Sequence, residues 1–202
     1  MEPRPAATVV VAREAGDEVE VLALKRSQRS RFAPGVLVFP GGSIDADDAR
    51  MAERWFGSAE EAARACAVRE LLEEAGLLLT GSGMREARSP DGDAVALISA
   101  EPPSVEDLPE IARWIAPDFL PVRFDARFFA VAAPSELHPR PDGVEIERAW
   151  WATPAAILEE HRLWESLMWP TFNTLKELRR CRSVQEVLDL RMEQVPPPVP
   201  GS

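Results

Sequence analysis

Wound at about 100° per residue, residues 59–75 sort into two faces. Ala65, Val68, Leu71, Leu72 and Ala75 share one side, and Glu70, Glu73 and Glu74 crowd together on the other. The pattern predicts an amphipathic helix with marked ends. Ser58 offers a hydroxyl cap, Glu61 stands where a capping box would reach back, and Gly76 stands where the helix would stop. A solvated face ordinarily sets acids against Lys or Arg at i+4, whereas Glu70 is followed at that spacing by Glu74, a like-charge pair that mildly destabilises the helix. Arg69, within reach of Glu73, is the local counter-charge, and the small residues Ala63, Cys66 and Ala67 beside the trio leave space. The acids read either as a solvated face or as donors for a hard divalent cation that would relieve the repulsion and use the space.

Strand-like periods flank this helix. Residues 8–12 and 18–24 read as a hairpin turning at 14–17, and residues 36–39 form a short apolar strand running into Pro40-Gly41-Gly42, a turn tight enough to approach a phosphate or offer a carbonyl to a metal. Between turn and helix, residues 45–57 hold Asp45, Asp47 and Asp48 ahead of a helical turn at 49–55. These acids either cap that turn or ligate metal, capping being the simpler reading. Residues 77–80 predict a buried strand and 94–100 another. Residues 104–115 predict a helix capped by Ser104 and closed by Pro117. A long strand follows at 123–132, with Phe124, Ala126, Phe128 and Ala130 on one side, more readily core than a base-stacking platform. After a turn at 139–143, residues 144–151 predict a strand with Glu145 and Glu147 on one face. Helices are expected at 154–161, 163–181 and 183–192, with Pro170 interrupting or starting the second. This mixture implies an α/β fold, an α/β/α sandwich around a mixed β-sheet with extra C-terminal helices. We expect one domain over residues 1–195 and a disordered Pro-rich tail at 196–202.

Charge and composition narrow the partners. A net charge of −11 over 202 residues argues against a nucleic-acid surface and a polybasic membrane contact. The chain shows neither a long apolar run nor a signal-peptide opening, so a soluble cytoplasmic protein is expected. Cys66 and Cys181 are in no metal spacing and read as reduced thiols. His138 and His161 form no metal-like pair, which leaves a histidine-centred mechanism little support. Residues 25–31, with Arg26 and Arg31, are strongly basic in an acidic chain: either solvated surface or an anion contact next to the Gly-Gly turn.

From Gly42 to Leu77 the sequence resembles the Nudix box, G-x5-E-x7-R-E-U-x-E-E-x-G-U with U apolar. Glu61, Arg69, Glu70, Glu73, Glu74, Gly76 and Leu77 fit in mutual spacing, whereas Gly42 precedes Glu61 by 19 positions because of the insertion. Asp48 stands at the box's own spacing from Gly42, so Asp48 and Glu61 compete for the place of the first glutamate. Upstream, Arg26-Ser27, Arg31, Gly35 and Phe39-Pro40-Gly41-Gly42 are similar to the signature that precedes the box in coenzyme A diphosphatases. The resemblance implies the Nudix fold and a Mg2+- or Mn2+-dependent diphosphatase acting on a small-molecule nucleotide, coenzyme A or acyl-CoA first, ADP-ribose or another nucleoside diphosphate derivative second. A nucleotide-sensing domain without turnover is the reading from another class. Glu70, Glu73, Glu74 and the Gly42 carbonyl are the implied metal ligands. Arg69, Glu73, Glu74 and Glu145 are the implied catalytic residues, and Arg26, Arg31, Gly41 and Gly42 the substrate-binding ones. Members of the family are often homodimers, so that state is expected here too.

Overall fold

Three strands carry the two-residue alternation of a sheet buried on both faces. These are β1 (Arg4–Ala15), β2 (Glu18–Arg26) and β8 (Phe124–Ala132) of a computed structural model that describes residues 2–30, 33–87, 92–120, 122–160 and 167–196. Val9, Val11, Leu22, Leu24, Phe129 and Val131 point into one core; their neighbours Val10, Ala12, Val21, Ala23, Phe128 and Ala130 point into a second. The first is covered by α1 (Ala46–Phe56), α2 (Ala62–Ala75), α3 (Gly92–Ala100) and the hairpin of β5 (Leu77–Thr80) with β6 (Gly83–Glu86). The second is covered by α4 (Pro154–Glu160), α5 (Trp169–Leu178) and α6 (Val184–Leu188), through Ile157, Leu175, Leu178, Val184 and Val187. Two helical layers on one mixed sheet make the expected sandwich.

The sheet's register positions the glycine turn. β1 and β2 pair only near their shared turn at Gly16 and then diverge. Into the wedge run β3 (Leu37–Val38), paired with β2, and β4 (Gly41–Ser43), paired with β1. β9 (Ile146–Ala152) takes the other side of β2, since Leu24 faces both Val38 and Ala149. β8 runs parallel along the other side of β1, and β7 (Glu110–Ile115) pairs antiparallel outside β8. The C-terminal segment lies along β7: Met192 N–H donates to the Ile111 carbonyl at 2.7 Å, and the Gln194 amide both donates to and accepts from the Ile115 backbone.

Several elements differ from expectation. Residues 94–100 belong to α3 and not to a strand; Ala94 and Ile98 are its buried positions while Ala96 between them is exposed, a pattern that a helix produces and a strand, which would turn all three to one face, does not. Ser104 caps as expected, in a reciprocal box with Asp107, but caps only a 3-10 turn, Val105–Asp107. Pro109 cannot continue a helix, and β7 follows through pairing with β8. The helix expected at 59–75 opens as a 3-10 turn, Ala59–Glu61, before α2, and Ser58 Oγ accepts from Glu60 N–H. Glu61 does not return to Ser58; its carboxylate pairs with Arg64. Gly76 ends α2 in the left-handed conformation, and Pro170 starts α5. Arg31, His161, the start of the helix expected from 163 and the tail from 197 lie outside the described residues.

Candidate active site

α2 meets the sheet where β4 fills the wedge. Its first half is buried all round: Ala63, Cys66 and Ala67, read as leaving room, are covered by the close approach of β4, with the Cys66 thiol 3.6 Å from the carbonyls of Gly42 and Ser43. Burial, first of all, pushes that thiol well above the ordinary range, and Asp48 adds to the effect, so Cys66 is a small neutral packing group. The approach is close enough to demand glycine. A Cβ on Gly41 would lie 2.4 Å from the Ala7 carbonyl oxygen, and one on Gly42 would lie 2.1 Å from Glu70 Oε1.

The trio splits on this surface. Glu70 and Glu74 turn toward the glycine turn and are largely buried, whereas Glu73 is half exposed at the mouth. Glu74 Oε2 accepts the Gly41 N–H at 3.0 Å, yet its pKa is pushed up to about 8, by burial first and then by the neighbouring Glu70 charge. Burial also raises Glu70, only partly offset by Arg69. Two carboxylates that resist ionising side by side, one of them in the space that a Cβ on Gly42 would fill, form a hard-oxygen pair suited to a divalent cation. The Gly42 carbonyl faces α2 one turn before Glu70, on the same side. Among the described residues no three acidic, histidine or cysteine side chains already converge as a metal cage, and Glu73 is the member held away.

Arg69 does the holding, and far more than the sequence suggested. It donates to Glu70 at 2.8 Å, to Glu73 at 2.9 Å and, through two nitrogens, to Asp48 at 2.8 and 3.0 Å. Asp48 is wholly buried and also accepts the Asp45 N–H in a capping box at the start of α1. The two candidates for the first-glutamate place differ in what they touch. Asp48 from the insertion holds Arg69, and Glu61 holds Arg64.

On the other side of Glu74, Arg26 at the end of β2 lies 3.6 Å from Glu74 Oε1 and 3.1 Å from Glu145 Oε2. Glu145 precedes β9 and is mostly exposed. Its N–H is held by the Asp142 carboxylate, and its carbonyl accepts from Ser27 N–H at 2.7 Å and Ser30 Oγ at 3.2 Å. The basic stretch is thus docked on Glu145, beside a hollow of about 790 Å³ lined by Arg26, Arg29, Ser30 and Val144. Glu147 is exposed on β9, and His138 pairs with Glu86. Sequence reasoning missed the role of Arg26 toward Glu74; a cation ending the strand beside the turn was the available signal.

Comparison with known proteins supports the fold and the family. A crystal structure of a NUDIX hydrolase from Alicyclobacillus acidocaldarius superposes with a TM-score of 0.79 at 32% identity, covering 95% of this chain and 97% of that one. The acyl-coenzyme A diphosphatase NUDT19 of Xenopus laevis is 26% identical over 84% of this chain. Nudix hydrolase 7 of Caenorhabditis elegans is 29% identical over 78% of it. The chain spans 62% and 54% of the length of these two relatives. No helix among the described residues is long and apolar enough to cross a membrane. With the NUDIX domain model matching residues 2–172, the chain belongs to the Nudix family.

Proposed function

We propose that the chain is a divalent-metal-dependent diphosphatase that cleaves the pyrophosphate of a nucleoside diphosphate linked to a second group. Coenzyme A or an acyl-CoA is the substrate, giving 3',5'-ADP and the (acyl-)phosphopantetheine. The observation that carries the reading is the buried Glu70–Glu74 pair set against Gly41 and Gly42. Glu70 and Glu74, with the Gly42 carbonyl and with Glu73 in reserve at the mouth, would hold Mg2+ or Mn2+. A bound ion would neutralise charge on the pyrophosphate oxygens and lower the pKa of an attacking water.

The chain's own groups supply the rest. Arg69, anchored by Asp48, fixes Glu70 and keeps the helix's acid face from splaying. Gly41 and Gly42 let the phosphates come close to backbone. Arg26 and Arg29 line the hollow beside Glu74 and would meet the nucleotide's phosphates, the 3'-phosphate of coenzyme A included. Glu145, exposed and joined to Glu74 through Arg26, is assigned the proton from the attacking water; Glu73 is its rival. The likeness to an acyl-coenzyme A diphosphatase supports this substrate class over ADP-ribose.

A substrate panel with Mg2+ or Mn2+, read by product mass, tests the reading. Coenzyme A should be cut to 3',5'-ADP and phosphopantetheine, with kcat/KM falling on removal of the 3'-phosphate. Equal efficiency on coenzyme A, dephospho-coenzyme A and ADP-ribose removes the coenzyme A assignment. Tight nucleotide binding without product on any of them turns the reading toward a sensor.

A further inference from the structure

Residues 133–145 join β8 to β9, pass the end of α2, and are tied down along the way. The Leu137 carbonyl accepts the Trp151 indole N–H at 2.8 Å. Glu86 on β6 takes the His138 N–H at 3.0 Å and Arg140 Nη2 at 3.2 Å. The Arg140 N–H donates at 2.7 Å to the carbonyl of Ala75, the last residue of α2. The final stretch is held in another way. Val144 is 75% exposed and the Glu145 side chain 62% exposed, so packing does not fix them. Hydrogen bonds to one side chain do. Asp142 Oδ1 accepts three successive N–H groups, those of Val144 at 3.0 Å, Glu145 at 3.1 Å and Ile146 at 2.8 Å, and Oδ2 shares the Glu145 N–H at 3.1 Å. Gly143, left-handed at φ 73°, turns the chain so that the three converge, and its own N–H closes the turn on the Ile146 carbonyl at 3.1 Å. Packing takes over only at Ile146, which is wholly buried.

We propose that Asp142 is the positioning residue for Glu145, its carboxylate setting the backbone from which the proton-accepting side chain leaves. The inference rests on the diphosphatase reading, in which Glu145 takes the proton of the attacking water, and adds the group that decides where that carboxylate stands. Glu145 is gripped on both sides: its N–H by Asp142, its carbonyl by Ser27 N–H and Ser30 Oγ. With both flanking peptide units fixed, its side chain leaves toward Arg26, the residue that also touches Glu74. Without Asp142, an exposed stretch that begins at a glycine has no packing to stop it sampling other conformations. A charged acceptor suits the task, because its bonds to N–H groups are stronger than those of a neutral oxygen.

Rates on Asp142→Ala, Asp142→Asn, Glu145→Gln and the Asp142→Ala, Glu145→Gln double variant test this. They are taken on whichever nucleotide of the substrate panel is cut, so losing the coenzyme A assignment leaves the test intact. Asp142→Ala should lower kcat at least about tenfold and leave KM within about twofold, because a displaced base slows the chemical step without disturbing the seat of the phosphates. Asp142→Asn keeps an oxygen for the three N–H groups and should recover most of that loss, to within about threefold of the unmodified chain. In the Glu145→Gln background, Asp142→Ala should cost less than about twofold, since the group that it positions is already gone. Amide exchange over residues 143–147 should quicken in Asp142→Ala and stay near that of the unmodified chain in Asp142→Asn. An Asp142→Ala loss of equal size in both backgrounds, a change in KM alone, or a Glu145→Gln variant as fast as the unmodified chain overturns the positioning role and leaves the diphosphatase reading standing. A chain that cleaves no pyrophosphate in the panel overturns that reading, and the role of Asp142 with it.

Discussion

Arg69 and Asp48 form a two-point ion pair, Nε to Oδ1 at 2.8 Å and Nη2 to Oδ2 at 3.0 Å, with the aspartate wholly inaccessible to water. Removing one partner of a buried pair leaves the other uncompensated, so Asp48→Ala is expected to cost about 3 kcal/mol in denaturant unfolding. It should also lower kcat, because Arg69 is the residue that orients Glu70. Glu61→Gln should leave kcat within about twofold, since that carboxylate serves only Arg64. An opposite ranking would return the first-glutamate role to Glu61.

The two glycines of the turn should respond differently to alanine. At Gly42 the added carbon meets the end of a flexible side chain, Glu70, so Gly42→Ala should displace that carboxylate, cut activity at least about tenfold and hardly move Tm. At Gly41 the carbon meets the Ala7 backbone, which cannot move without disturbing the β1–β4 pairing, so a loss of about 1–3 kcal/mol in stability is expected as well. Thermal melts and initial rates on both variants separate the cases.

Metal-free protein should lose stability as pH rises. The folded-state pKa of Glu74 is about 8, above its ordinary value of 4.5, so between those limits the folded chain keeps a proton that the unfolded chain releases. Stability at that site is then full below the unfolded value and declines as pH climbs toward 8. Melting curves from pH 5 to pH 8.5 in chelator should show Tm falling; Glu74→Gln should flatten the slope, and added Mn2+ should raise Tm most at the alkaline end.

Both thiols are free, but they differ in access. Cys66 is buried with its pKa pushed up by that burial, while Cys181 is only partly covered. A disulfide reagent on the native protein should titrate no more than Cys181, and both residues after denaturation. Rapid native reaction at Cys66 would show that β4 lifts off α2.

What could be read in advance followed from local spacing. The hairpin of β1 and β2, the long β8, the strand β5, the cap at Asp45 and the stop at Gly76 all write their own geometry over a few residues. β7 and α3 did not. A capping box at Ser104 is a true helix-start signal that Pro109 cancels, and the strand after it exists only because β8 offers a pairing edge from further along the chain. The acids of α2 were legible as a cluster. Their division into two buried and one outward was not, because it depends on Arg26 and Asp48, which lie distant in sequence and reach Glu74 and Arg69 only in the folded sheet.

The Gln194 side chain grips the Ile115 backbone through both its hydrogen-bonding groups, and Met192 extends the grip to Ile111. An amide that imitates a neighbouring strand blunts the flank of the sheet most open to recruiting a foreign one. Two copies that met through this flank would first have to prise that clasp open.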